Sequence, residues 1–112
     1  MRAILFRAFA AAFALALSLP ANAAFTVGNI LAAVGNGKLK EFTPTGTLVA
    51  TYDSGTNSNE TTGMCQDAQG NVYATMFSAG KIAKFAPDGT LINGSFISPG
   101  TPESCHPFNE AK

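Results

Sequence analysis

Cys65, Cys105 and His106 are the side chains best suited to joint chemistry, two thiols forty residues apart with the chain's single imidazole beside the second. Three readings are open. Cys65 and Cys105 can each be a small apolar core residue, since free Cys is among the most buried residue types. They can form a disulfide, which needs an oxidising compartment and two Cα atoms within about 7 Å. They can also bind a metal with His106, although a closed site takes about four ligands and only three are visible. Packing is the plainest of the three, the disulfide comes second and the metal last. As a general acid or base His106 needs a positioned partner, and spacing assigns none. Next to Pro107, it reads as a surface residue.

The compartment is argued from the start of the chain. Arg2 and Arg7 precede the apolar run Ala8 to Leu19, Pro20 breaks it, and Ala21-Asn22-Ala23 is a small-residue cleavage signal. That order is a secretory signal peptide over residues 1–23, and the apolar run is shorter than the roughly 20 residues that span a bilayer. No Cys follows the cleavage point, which argues against a lipid anchor there. Residues 24–112 are expected to be secreted or periplasmic, with no membrane span after cleavage. They carry five Lys against seven acids, a net charge of −2 without blocks of one sign. Such a surface does not attract nucleic acid or an anionic membrane.

The elements that would position these residues are short strands. "GKLKEFTPTGTLV" from Gly37 returns as "GKIAKFAPDGTLI" from Gly80, 43 residues later. β-rich runs bounded by Gly, Pro, Asn and Asp read as strands over 29–34, 38–42, 47–52, 62–67, 71–76, 81–85 and 90–93. Pro44-Thr45-Gly46 and Pro87-Asp88-Gly89 read as turns in which Pro presets the first corner and Gly tolerates positive φ at the exit. Residues 53–61 (DSGTNSNET) read as a loop. Leu39/Phe42 and Ile82/Phe85 are three apart, which strict alternation puts on opposite faces. A bulge before the turn would bring each pair onto one face.

A period near forty residues with four short strands is the signature of a β-propeller blade. "GMCQDAQGNVYATMFSAGKIAKFAPDGTL" resembles a blade of the NHL-repeat propellers and their relatives, the gluconolactonase/SMP-30-like proteins. The resemblance implies an all-β fold of four-stranded antiparallel blades in an incomplete ring. Its blades would lie at about 28–52 and 62–93, with a third opening at Thr101. Propellers close with about four to eight blades, so the sequence is expected either to be part of a longer protein or to self-associate through open blade edges.

For function, the resemblance implies first a binding or interaction scaffold with an unidentified ligand or protein partner. The loops 53–61 and 93–101 would present polar contacts on one rim. No residue set marks a catalytic or cofactor site. The alternative is a lactone hydrolase, because the gluconolactonase-like enzymes present a Glu to a divalent cation at the channel mouth. Such a cation takes oxygen ligands and polarises a carbonyl. Glu103 is the candidate that resemblance offers, but the family's Glu stands in a Glu-Gly-Pro context, whereas Pro102 precedes Glu103 and Ser104 follows it. Lys38, Lys40, Lys81 and Lys84 read as solvated strand faces, and Asp67 and Asp88 as turn residues. Asn59-Glu60-Thr61 and Asn93-Gly94-Ser95 fit N-glycosylation acceptors in loops.

Overall fold

Three hairpin connections repeat one design. In 43–47 the Gly46 N–H reaches the Thr43 carbonyl at 2.9 Å and the Thr43 N–H reaches the Thr47 carbonyl at 2.8 Å. Ala86, Gly89 and Thr90 make the same two bonds at 2.9 and 2.8 Å, and Asp67, Gly70 and Asn71 make them at 3.0 Å. Each is a three-residue hairpin loop ending on a glycine at positive φ (93°, 85° and 87° for Gly46, Gly89 and Gly70), where a side chain would be strained.

The computed structural model describes residues 25–108, which form strands and turns and no helix. The leader read over residues 1–23 lies outside the described residues. The strands are β1 (Ile30–Val34), β2 (Lys38–Phe42), β3 (Leu48–Asp53), β4 (Thr61–Gln66), β5 (Val72–Met76), β6 (Lys81–Phe85) and β7 (Leu91–Ile97). They make two antiparallel sheets, of three strands in the order β1-β2-β3 and four in the order β4-β5-β6-β7. The chain is all-β. Strand positions agree with the sequence reading to within a residue except in β7, which runs on to Ile97 and so places Asn93-Gly94-Ser95 in a strand rather than a loop.

The bulge exists, but not where it would bring Leu39 and Phe42 together. Glu41 pairs with Ala50 and Phe42 with Leu48, leaving Val49 over in β3. Lys84 pairs with Asn93 and Phe85 with Leu91, leaving Ile92 over in β7. The extra residue sits in the outer strand each time, and the β1–β2 register runs unbroken from Ile30↔Phe42 to Val34↔Lys38. Leu39 and Phe42 therefore stay on opposite faces.

The sheets meet on the Leu39 side of the first and the Phe85 side of the second. Leu39 and Tyr52 from the first sheet join Val72, Ala74, Met76, Ala83 and Phe85 from the second in one buried cluster. Phe85, Leu39 and Met76 are fully enclosed, and each such side chain contributes about 2–3 kcal/mol by leaving water. The faces are not equivalent in the repeat. The first sheet turns its Leu39/Glu41 face inward, and the second its Ala83/Phe85 face. Phe42 and Ile82 are left on the two outer faces, half-buried.

The loop between β3 and β4 ties the sheets together. Ser54 and Ser58 are buried in it. Ser54 Oγ donates to the Gly37 carbonyl at 2.6 Å and approaches Met76 Sδ at 3.7 Å. Ser58 Oγ donates to the Glu60 carbonyl at 2.8 Å and accepts from the Ala79 N–H at 3.2 Å. The Ser54 carbonyl lies where a Cβ on residue 94 would stand, so that position in β7 admits only Gly94. A loop read as a polar rim is thus partly an internal tie, because its serines complete backbone groups of both sheets.

Candidate functional site

Strict alternation along β2 puts Glu41 beside Leu39 on the inward face, and Glu41 is only 1% exposed. Its Oε1 accepts from the Thr26 N–H and from Asn29 Nδ2, both at 2.9 Å. Its Oε2 accepts from the Tyr52 hydroxyl at 2.6 Å. Burial pushes this carboxyl up, but the donors from Tyr52, Thr26 and Asn29 outweigh it and hold the group below the ordinary 4.5. Burial and the adjacent Glu41 carboxylate both push the Tyr52 phenol up. The result is an ionised, fully hydrogen-bonded carboxylate inside the sheet pair. Its phenol partner keeps its proton. The signal for this site in the sequence is the two-residue step from Leu39 to Glu41, which places both on one face of β2.

Glu41 borders a cleft of about 470 Å³ where β1 meets β4, with Phe25, Leu31, Met64 and Val72 supplying apolar walls and Gln66 a polar one. Both carboxylate oxygens face donors already. Glu41 is thereby placed to shape the cleft electrostatically rather than to exchange protons with an occupant.

A second carboxylate is held in a similar way at the surface. Asp67 accepts from the Asn71 side chain, the Tyr73 hydroxyl and the Asn71 N–H, each at 2.9 Å, and from the Gln69 N–H at 3.0 Å. These donors, the Asn71 side chain first, hold its carboxyl below the ordinary 3.8. This is the self-bonding of Asp in a turn, extended to a phenol.

The sequence candidates fall on the outer face of the second sheet. Cys65 and Cys105 are joined in a disulfide with Cα atoms 5.5 Å apart, and both are partly rather than fully buried. Residues 101–108, read as the opening of a third blade, form no strand. Their backbone instead crosses the β4–β5 end of the sheet. Thr62 Oγ1 donates to the Pro102 carbonyl at 3.0 Å and Thr75 Oγ1 reaches the Glu103 carbonyl at 3.3 Å. Gly63 admits this crossing, since a Cβ there would lie 3.1 Å from the Glu103 carbonyl oxygen. Glu103 thus engages the fold through its backbone, and its side chain is exposed. His106 is exposed too. Among the described residues no group of three or more His, Cys, Asp or Glu side chains is placed to hold a metal ion.

Beside the disulfide runs a shallow groove of about 390 Å³ walled by Tyr73, Ile82, Phe96, Ile97 and Phe108. Tyr73 and Phe96 pack with ring centroids 5.7 Å apart, and Lys84 Nζ lies over both, at 5.5 and 4.8 Å. This aromatic–cation surface is what the second sheet offers to solvent. No family model matches the chain, and neither does any curated protein or solved structure.

Proposed function

We propose that this chain is an exported binding scaffold built from NHL-like propeller blades, contacting its ligand or protein partner through surfaces rather than transforming it. The observation that carries this reading is that its two best-organised carboxylates are already engaged by protein donors. Glu41 and Asp67, the best-organised acidic groups, spend their oxygens on Asn, Tyr and backbone donors. The groove beside the disulfide is walled mainly by apolar and aromatic side chains. The Cys65–Cys105 disulfide supports export, since such bonds persist in oxidising compartments. The repeated hairpin design and repeated bulge support the blade reading.

Expression with the native leader tests export: the chain should be recovered outside the cytoplasm, begin at Ala24 by mass and carry no free thiol. Retention of an unprocessed, reduced chain would sink that part of the proposal. The scaffold part is tested by hydrolysis of an aldonolactone with and without added divalent cation. We expect no rate above the blank. Cation-dependent turnover that disappears in Glu103→Gln would replace the scaffold reading with the lactone hydrolase.

A further inference from the structure

The two sheets of this chain pack through unlike faces, and each leaves open the counterpart of the face that the other has buried. Aligned by strand pairing, with one more residue between β5 and β6 than between β1 and β2, Ile30, Ala32, Val34 and Phe42 of the first sheet correspond to Val72, Ala74, Met76 and Phe85 of the second. In the second sheet those four are buried against the first. In the first sheet they form the outer face, with Ile30 53% exposed and Leu48, paired to Phe42, 50% exposed. Conversely, Leu31, Ala33 and Leu39 of the first sheet pack inward. Their counterparts lie on the outer face of the second sheet, where Thr75 is fully covered by the 102–103 backbone while Tyr73 and Ile82 stay half-buried beside Phe96 and Ile97 (42% and 45% exposed).

We infer that a second copy of this chain lays the outer face of its first sheet on the outer face of the second sheet, head to tail, reproducing between chains the packing found within one. The repeat selects this occupant: one molecule already carries both halves of an interface whose internal version buries Leu39 and Phe85 completely. The contact is made by faces and not by strand edges. It also gives a use to the apolar pairs three residues apart, because Leu39 and Phe85 serve the internal contact while Phe42 and Ile82 serve the external one. Residues 101–108 cover the β4–β5 end of the receiving face through Pro102, Glu103 and Cys105, and Phe108 forms one wall of the groove that reaches Ile82 and Ile97. Among the described residues, Phe96 and Ile97 at the β6–β7 end remain exposed. Lys40 and Lys84 depart from the apolar pattern, and their long stems can lie along apolar surface with the ammonium in water.

A heterologous contact of this kind has a signature that a two-fold symmetric dimer lacks. The full chain, expressed with its own leader and purified with the disulfide intact, is examined by sedimentation velocity up to about 100 µM, a range that populates micromolar complexes. The parent should sediment as a species larger than a monomer, growing with concentration. Ile30→Glu spoils one face and Ile97→Glu the other, and each alone should weaken association at least about tenfold. Mixed in equal amounts, the two variants should form a one-to-one dimer that grows no further, because each retains the face its partner lacks. Leu48→Glu with Phe96→Glu provides an independent pair, and every variant should melt as one cooperative transition. A parent that stays monomeric throughout, or folded variants of which neither pair combines on mixing, overturns the inference.

Discussion

In both sheets a carboxylate takes hydrogen bonds from an Asn amide and a Tyr hydroxyl, and Asn29 and Asn71 hold the same position in the repeat. Around Glu41 the arrangement is buried between the sheets, whereas around Asp67 it sits in a hairpin turn at the surface. The same donors do different work in the two places. Inside, they prevent a buried charge from standing alone, which would be strongly destabilising. At the surface they fix a turn that water could also solvate. The first sheet thus depends on a polar centre, while the second relies on apolar packing of Val72, Ala74, Met76, Ala83 and Phe85 together with the disulfide.

The largest expected effect breaks the second sheet's side of this comparison. Cys65→Ser with Cys105→Ser opens a loop of sequence separation 40, and chain-entropy arguments put the cost at about 4 kcal/mol. Urea unfolding of the oxidised parent against the double variant measures it. Native-state hydrogen exchange should place most of the lost protection in β4–β7.

Glu41→Gln strikes the first sheet and ranks next. The amide leaves one acceptor oxygen where three donors converge, and an NH₂ now points at a donor. We expect a loss of about 2–3 kcal/mol at neutral pH, read from the same urea curves. The sign with pH is fixed by the depressed carboxyl. Its contribution is present in full above the ordinary 4.5 of the unfolded chain and is lost as pH falls through the lower folded value. Thermal melts of the parent should therefore drop as the solution is acidified below about 4.5, and Glu41→Gln should drop less steeply.

Two smaller substitutions sharpen the contrast. Tyr52→Phe leaves Glu41 Oε2 without its donor and should cost about 1.5–2 kcal/mol. It should also move the acid-induced fall to higher pH. Tyr73→Phe should cost less, since Asp67 keeps three N–H donors and open solvent. Last comes Lys38→Ala, which removes the exposed 3.1 Å bridge to Asp53. A change of no more than about 0.5 kcal/mol is expected, fading further with added salt.

The strands and turns could be read from the chain because their determinants are local. Pro44 and Pro87 preset turn corners, Gly46 and Gly89 take the positive φ, and β-rich runs lie between them. What could not be read locally was which face of each strand meets which. A three-residue apolar step such as Leu39/Phe42 implies a bulge only if each strand buries one face, whereas β2 presents apolar groups to both sides. Glu41 reads locally as one more charge, since its partners lie in two other segments, Thr26 and Asn29 before β1 and Tyr52 in β3. The disulfide and the buried serines of the 53–61 loop share that property, depending on pairings far apart in the chain.

The Cys65–Cys105 bond also sets how the molecule would bear tension. It links β4 to the segment beyond β7 and encloses β5, β6 and β7 in one covalent loop. A pull applied to the two ends passes from Cys65 to Cys105 through sulfur and bypasses those three strands. The first sheet would unravel to its full length under load. The enclosed part would withhold roughly 140 Å of contour, at about 3.5 Å per residue, until the bond is reduced. Reductant in the surroundings would thereby set the extensibility of the chain.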